Sequence, residues 1–159
     1  MCMGIVEAGV EVLETVDGTR RWFLHGALHR TDGPAVERPD GSYEWREHGL
    51  LHRMDGPAVE HREGRREWWQ NGLPHRTDGP AIESPEGTLW LVHGRLHRHG
   101  GPAVEWEDGV REWFLHGKRH RADGPAVESP GGEPEWWLED VRFEADAWPF
   151  EREPAGSVG

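Results

Sequence analysis

The stretch 28–37 reads LHRTDGPAVE, and closely similar versions of it return at 51–60, 74–83, 96–105 and 119–128. The prolines of this phrase are spaced by 23, 23, 22 and 23 residues, at Pro34, Pro57, Pro80, Pro102 and Pro125. A fixed period of this length is typical of a repeat array. The phrase therefore predicts a chain that is built from one structural unit used several times.

A tryptophan recurs with the same period, at Trp22, Trp45, Trp68, Trp90, Trp113 and Trp136. The unit reads W-x-x-[HN]-G-x-x-H-R-x-D-G-P-A-[VI]-E, followed by a short stretch and a glycine. Units one to five begin at 22, 45, 68, 90 and 113 and fill 22–135. Degenerate copies of the unit flank these five. Because a terminal unit lacks one neighbour, we expect capping elements there. They are an N-terminal half-repeat over 1–21 and a C-terminal cap over 136–150, followed by a flexible tail over 151–159.

Each unit carries two chain-reversal signals. The first is a His-Gly or Asn-Gly pair such as Asn71-Gly72, a strong hairpin signal at which histidine also tolerates positive φ. The second is an Asp-Gly or Glu-Gly pair such as Asp40-Gly41. Two reversals give each unit an even number of strands, which predicts an all-β, elongated array of antiparallel β-hairpins, a meander with about 23 residues per repeat. A three-sided β-solenoid is the alternative architecture.

The Asp-Gly-Pro inside the phrase is a third turn-like site. Because proline cannot donate to a central ladder, we expect a kink or bulge there, within the second strand of each unit. Unit three is one residue short between Gly87 and Trp90. We place that deletion beside a turn, since a deletion inside a strand would move its side chains to the other face.

One unit shows the motif most fully, at Trp45, His48-Gly49, His52, Asp55-Gly56 and Glu63-Gly64. This run resembles the MORN repeat (membrane occupation and recognition nexus), and more closely the bacterial MORN-repeat variant of some antitoxin and immunity proteins. The resemblance covers roughly residues 20–140. It implies an extended sheet of hairpins that is used for binding.

The net charge of the chain limits the classes of partner that it is expected to bind. The chain holds 30 acidic against 18 basic residues, a formal net charge of -12, which argues against nucleic acid and anionic membranes and favours a basic protein. The single cysteine excludes a disulfide framework, and residues 1–18 lack the pattern of a signal peptide. We expect a cytoplasmic protein without a cofactor.

Five His-Arg pairs and four aspartates form the most reactive-looking set, which we name the His-Arg ladder: His29, Arg30, Asp32, His52, Arg53, Asp55, His75, Arg76, Asp78, His97, Arg98, His120, Arg121 and Asp123. Imidazole side chains commonly act as metal ligands and general bases, so a metal-dependent or His-based hydrolase is the alternative function. Equivalent residues two strands apart are separated by roughly 10 Å, however, too far to share one zinc ion. We therefore expect a structural ladder that ties down the nearby turn with aspartate acceptors, and no catalytic or metal site.

The tryptophans that open the units are predicted to form the core on one sheet face. A second aromatic set follows them directly in the chain and is expected on the opposite face, at Phe23, Trp69, Phe114 and Trp137.

Unit four departs most from the pattern, so we look there for a partner site. His99-Gly100 replaces the usual residue pair that ends in aspartate, and Trp106 stands where other units have a polar residue. The candidate partner-binding residues are Trp106, Glu105, Glu107, Asp108, His99, Trp69 and Phe114. The predicted function is a non-catalytic repeat scaffold that binds another protein, with a toxin-sequestering antitoxin or immunity protein as the form that the resemblance implies.

Overall fold

The computed structural model describes residues 9–149, which form short β-strands and one 3-10 turn, Ala145–Ala147. In chain order, the strands are β1 (Val10–Glu14), β2 (Arg20–Leu24), β3 (Ala27–Leu28), β4 (Val36–Glu37), β5 (Tyr43–Glu44), β6 (Arg46–Glu47), β7 (Leu50–Leu51), β8 (Val59–Glu60), β9 (Arg66–Glu67), β10 (Trp69–Gln70), β11 (Leu73–Pro74), β12 (Ile82–Ser84), β13 (Gly87–Leu89), β14 (Leu91–Val92), β15 (Arg95–Leu96), β16 (Val104–Trp106), β17 (Arg111–Glu112), β18 (Phe114–Leu115), β19 (Lys118–Arg119), β20 (Val127–Glu128), β21 (Trp136–Leu138) and β22 (Val141–Phe143).

A 12-stranded sheet runs through the whole array in the order β1-β2-β4-β5-β8-β9-β12-β13-β16-β17-β20, with β3 attached to β2. Every pair along it is antiparallel, and each unit adds two strands. Equivalent strands such as β4 and β8 are separated by β5. A parallel solenoid would make equivalent strands direct neighbours, so the predicted meander is confirmed and the solenoid alternative is wrong.

Separate two-stranded hairpins, which we call side hairpins, branch from this long sheet. Units two to five each have one, and the C-terminal cap has another; they are the pairs β6–β7, β10–β11, β14–β15, β18–β19 and β21–β22. In unit one, β2 and β3 serve the same purpose. The predicted turn residues adopt positive φ, at His25 (50°), His48 (49°), Asn71 (50°), His93 (48°) and His116 (54°). Because the left-handed region suits Asn and His better than most side chains, the local sequence places these turns.

A bulge stands opposite each opening tryptophan. In unit two, the N–H of Trp45 donates to the carbonyl of Ala58 at 2.6 Å, while the carbonyl of Trp45 accepts from the N–H of His52 at 3.1 Å. Both ends of the 52–58 stretch therefore bond to one residue, and 53–57 loop out as the predicted kink. The first strand of the unit is also interrupted, since Trp45 separates β5 from β6.

The most deeply buried residues are the alanines that follow the kinks, each 0% exposed: Ala35, Ala58, Ala81, Ala103 and Ala126. The opening tryptophans, which we predicted to be the core, are only half-buried. The reason is the bend: the tryptophan lies where the chain passes from the long sheet to a side hairpin, and the bulge opposite it, not a second sheet, covers its ring.

The deletion in unit three shortens a turn, as predicted. Ser84 pairs with Gly87, so only two residues connect β12 to β13. In unit one, the N–H of Arg38 instead bonds to the carbonyl of Ser42 across a three-residue turn. The strands on both sides keep their register, because the loss falls outside them.

Both ends of the array carry an additional hairpin or aromatic cluster. β1 pairs with β2 over five residues. At the other end, Trp148 packs 4.9 Å from Trp136 and 5.8 Å from Phe143 between ring centroids. Residues 1–8 of the predicted N-terminal cap, residue 150 and the predicted tail over 151–159 lie outside the described residues. Within 9–149, no helix has the length and apolar character needed to cross a membrane.

Candidate binding surface

Each ladder arginine lies flat over the tryptophan that opens its own unit. The distances from the guanidinium carbon to the ring centroid are 4.2 Å for Arg30 on Trp22, 4.2 Å for Arg53 on Trp45, 4.0 Å for Arg76 on Trp68, 4.0 Å for Arg98 on Trp90 and 4.0 Å for Arg121 on Trp113. A cation held against a ring face in this way is attracted by the ring quadrupole. The arginine belongs to the bulge opposite the tryptophan, so the bulge explains why the guanidinium lies over the ring.

A glycine closes the other side of the guanidinium. A Cβ placed on Gly33 would lie 2.5 Å from the Cζ atom of Arg30, and the equivalent positions of the other units are also tight. The glycine before each proline therefore leaves room for the arginine, which would have to shift if a side chain stood there. We name this arrangement the Trp-Arg-Gly stack.

Hydrogen bonds fix the arginine within the stack. Arg30 donates from Nε to Asp32 at 2.8 Å, and from one terminal nitrogen to the carbonyl of Pro34 at 3.2 Å and to Glu37 at 2.9 Å. Units three and five repeat all three contacts, and unit two repeats the first two. The hydrogen bond from Arg30 holds the pKa of Asp32 below its ordinary value, as Arg53 does for Asp55. These aspartates are therefore ionised at neutral pH.

The ladder histidines make a different contact from the one predicted. Each Nδ1 accepts from the backbone N–H of a turn residue in the following unit: His29 from His48 at 3.0 Å, His52 from Asn71 at 3.2 Å, His75 from His93 at 3.1 Å and His97 from His116 at 3.0 Å. These bonds connect one side hairpin to the next. His120 differs, because its Nδ1 lies 2.9 Å from a carboxylate oxygen of Glu139, in the turn of the last side hairpin.

An accepting Nδ1 requires an unprotonated nitrogen, and the surroundings favour the neutral ring. Burial lowers the pKa of His75, and the nearby imidazole of His93 lowers it further. Burial also lowers the pKa of His97, with smaller effects from His116 and His99. Across residues 9–149, no group of three His, Cys, Asp or Glu side chains is arranged to hold a metal ion.

Open clefts lie between successive kinks, a feature that the sequence analysis did not anticipate. Each cleft is floored by the opening tryptophan of a unit and by the residue two positions later. They are the Trp68 cleft (about 560 Å³, with Gln70), the Trp90 cleft (about 560 Å³, with Val92) and the Trp113 cleft (about 350 Å³, with Leu115). The floor thus changes from polar in unit three to aliphatic in units four and five.

Unit four keeps the Trp-Arg-Gly stack but lacks the aspartate that binds the arginine Nε in the other units. Gly100 occupies the position of the ladder aspartate and adopts a φ of 71°. Arg98 donates to the carbonyl of Pro102 at 3.0 Å and to Glu105 at 3.4 Å, but its Nε has no acceptor within the described part of the chain. Its side chain is 28% exposed, against 19–22% for the other four ladder arginines. His99 lines the clefts on both sides of this position.

Trp106 lies in β16 and is 38% exposed. It pairs with Gly87, the residue that follows the shortened turn of unit three. A Cβ on Gly87 would lie 2.9 Å from the Cε3 atom of the Trp106 ring and 2.3 Å from the carbonyl oxygen of Glu105. The Trp106 ring therefore packs into the space that Gly87 leaves open.

The acidic candidates do not form a single group around Trp106. Glu105 and Trp106 are consecutive in β16, so their side chains point to opposite faces, and Glu105 pairs with Arg98. Glu107 and Asp108 lie in the exposed turn beyond the strand, where Asp108 accepts from the N–H of Val110 at 3.0 Å. The predicted group therefore divides into a kink side with His99 and Glu105, and a turn side with the remaining three residues.

Trp69 and Phe114 lie apart from this group, in the side hairpins of units three and five. Trp69 donates from its indole nitrogen to Glu67 at 2.8 Å, and the guanidinium carbon of Arg119 stands 5.6 Å from the ring centroid of Phe114. Both rings are half-buried. They are packed against charged neighbours, and no strand links them to Trp106.

Comparison with known proteins adds no relative: no family model matches this chain, and no curated protein is similar to it.

Proposed function

We propose that this chain is a non-catalytic, MORN-like repeat scaffold that binds a basic protein in the cytoplasm. Its most specific form is an antitoxin or immunity protein that sequesters a toxin. The observation that carries the proposal is Trp106, a large aromatic side chain that is 38% exposed at the position where the repeat is altered. Neither nucleic acid nor a membrane is part of the proposal.

Trp106 has the properties of an interface anchor. Tryptophan is enriched among the residues that contribute most to binding energy, and such residues need a partly buried base and an accessible face. Gly87 supplies the base, and the turn carboxylates of Glu107 and Asp108 provide a polar rim. A partner that covers the ring would remove its remaining apolar surface from water.

The acidic balance supports a basic partner. A formal charge of -12 on a chain of 159 residues produces a field that attracts a cationic protein and speeds its encounter. Added salt screens that field over a Debye length of about 8 Å near physiological ionic strength. Charge accordingly governs the association rate, while a desolvated anchor governs the dissociation rate.

The arrangement of the ladder supports a non-catalytic scaffold. Four of the five arginines bond to an aspartate of their own unit, and four histidines bond to turn amides of the next unit. Catalysis needs unlike groups that converge on one substrate atom. The ladder instead spreads identical groups along the sheet, each with a structural contact of its own.

Capture from a lysate of the source cell tests the proposal, with wild-type protein and Trp106→Ala immobilised in parallel. We expect the wild type to retain a basic protein that high salt releases, and Trp106→Ala to lose it. Val141→Ala is the matched control, because Val141 is also an exposed apolar residue, at 56%, and belongs to the C-terminal cap. Equal retention by all three proteins would contradict the anchor.

Surface plasmon resonance with the captured protein then separates the two rates. We expect added salt to lower the association rate and Trp106→Ala to raise the dissociation rate by about tenfold or more, the range of an interface hot spot. Co-expression tests the antitoxin form: if the partner arrests growth, wild-type protein restores it and Trp106→Ala restores it less. Metal bound stoichiometrically by the purified protein would favour the hydrolase alternative.

A further inference from the structure

Arg98 is the ladder arginine that lacks an aspartate on its Nε, although one terminal nitrogen still pairs with Glu105 at 3.4 Å. In the other four units, the arginine Nε donates to an aspartate two residues later, at 2.8–3.0 Å. Glycine stands there in unit four. Arg98 keeps its stack on Trp90 and its bond to the carbonyl of Pro102, so the guanidinium is held in the same place with one donor edge open.

The other four units show what this edge binds. The acceptor in each of them is one carboxylate oxygen of an aspartate side chain, and three of those carboxylates are 81–83% exposed although they are bonded. An acidic side chain that approaches from solvent can therefore reach the equivalent position in unit four. Hydrogen bonds between ions are shorter and stronger than neutral ones, which favours a carboxylate over an amide or a hydroxyl there.

The cleft next to Arg98 adds an apolar contact. The Trp90 cleft, about 560 Å³, has Trp90 and Val92 in its floor and His97, Arg98 and His99 in one wall. In the Trp68 cleft, the position of Val92 is held by Gln70. Asp78, which corresponds in sequence to Gly100, occupies the Nε edge of Arg76 at 3.0 Å. Unit four therefore combines an open Nε edge on Arg98 with an aliphatic cleft floor. The preceding Trp68 cleft has neither of these features.

We propose that the Trp90 cleft binds an acidic side chain from an extended segment of the partner protein, with the carboxylate on Nε of Arg98 and a neighbouring aliphatic residue on Val92. The inference rests on the proposed function and names the local chemistry of that partner. It is compatible with a basic partner, because net charge acts over the whole surface and one acidic residue docks on one guanidinium.

NMR of the arginine Nε–H groups in the 15N-labelled protein tests the site without the partner. The probe is N-acetyl-aspartate N-methylamide, and the neutral control is N-acetyl-asparagine N-methylamide. We expect a saturable shift of the Arg98 resonance with the acidic probe and affinity about tenfold or more lower for the neutral one, as expected for loss of a bond to a charged group. The resonances of Arg30, Arg53, Arg76 and Arg121 should not move.

Two variants change which ladder arginine has an Nε without an aspartate acceptor. His99→Thr combined with Gly100→Asp gives unit four the Thr-Asp-Gly sequence of unit three. Residue 100 must then leave the positive φ of 71° that suits glycine. The new aspartate should fill the ladder position and abolish the shift at Arg98. Asp78→Gly opens the equivalent position in unit three, and Arg76 should then respond to the probe. Thermal unfolding confirms that each variant is folded, and the second variant decides the matter if the first is not.

The inference is overturned if the Arg98 resonance does not shift with the acidic probe, or if it shifts equally with the neutral probe. It is also overturned if the Arg76 resonance stays unchanged in folded Asp78→Gly. These outcomes differ from failure of the proposed function, which is judged by retention of a basic protein through Trp106. A partner that is retained while Arg98 ignores the acidic probe removes only the carboxylate site.

Discussion

At the scale of single residues, the Trp-Arg-Gly stack explains why the phrase is so constant. In unit one, the guanidinium of Arg30 lies between the ring of Trp22 and the backbone of Gly33, with Asp32 as its acceptor. Each residue type answers one requirement: a flat ring, a flat cation, a missing side chain and a carboxylate. A change at any one of them disturbs the other three.

Gly33→Ala tests this dependence. The new Cβ would lie 2.5 Å from the Cζ atom of Arg30, so the guanidinium must shift from its place on the ring. We expect a loss of about 1–3 kcal/mol in the free energy of unfolding, the usual cost of overpacking, measured by urea denaturation. In an Arg30→Ala background the same substitution should cost much less, because nothing remains to collide with. Equal costs in both backgrounds would show that the arginine is not the cause.

At the scale of elements, histidines join one side hairpin to the next. The bond from the N–H of His93 to His75 and the bond from the N–H of His116 to His97 each connect two successive units. Backbone bonds join the same side hairpins, such as the one from the N–H of Gly94 to the carbonyl of Pro74 at 2.8 Å. The imidazole rings of each pair lie 4.2 and 4.4 Å apart between centroids. Protonation of Nδ1 would remove the acceptor and place a cation against a second imidazole.

Stability should therefore fall in mild acid. The pKa values of His75 and His97 lie below the ordinary 6.5, so the unfolded chain binds more protons than the folded one as the pH falls through that range. Their stabilising contribution is complete above about pH 6.5 and is lost as the pH falls toward the folded-state values. The lowered pKa values of Asp32, Asp55 and Asp78 act only near and below 3.8.

Urea denaturation between pH 8 and pH 5 measures this loss. Asparagine keeps a hydrogen-bond acceptor but does not titrate, so His75→Asn combined with His97→Asn should flatten the dependence on pH. His61→Asn is the control, because His61 is exposed and its side chain has no described hydrogen bond. An unchanged slope in the double variant would mean that other groups cause the loss.

At the scale of the whole molecule, the array is a series of interchangeable units. Each contributes two strands to the long sheet and one side hairpin, so removing a complete unit leaves every register intact. Deletion of 45–67 should give a folded protein whose urea m-value is lower by roughly a seventh, in proportion to the surface lost. Deletion of 45–60 removes β8, one strand of the long sheet, but leaves β9. The strands after the deletion would then enter the sheet in the wrong direction for antiparallel pairing with β5. We expect that protein to lose cooperative unfolding, monitored by near-ultraviolet circular dichroism.

The sequence by itself determined the period, both reversals in each unit, the bulge at Asp-Gly-Pro and the antiparallel meander. These features depend on local backbone preferences: positive φ at turn residues such as Asn71, and the missing donor of prolines such as Pro57. The pairing of Arg30 with Asp32 was also accessible, since the two residues are neighbours in the chain.

Only the tertiary structure decided which groups meet across units. The histidine acceptor lies 19 residues from the amide that it binds in the pair His29 and His48, and the clefts exist only between successive kinks. Strand alternation, which the residue order of a motif does not display, turned Glu105 away from Trp106. The open edge of Arg98 likewise required knowing where the aspartates of the other units point, because a deleted side chain becomes a site only when its former partner stays in place.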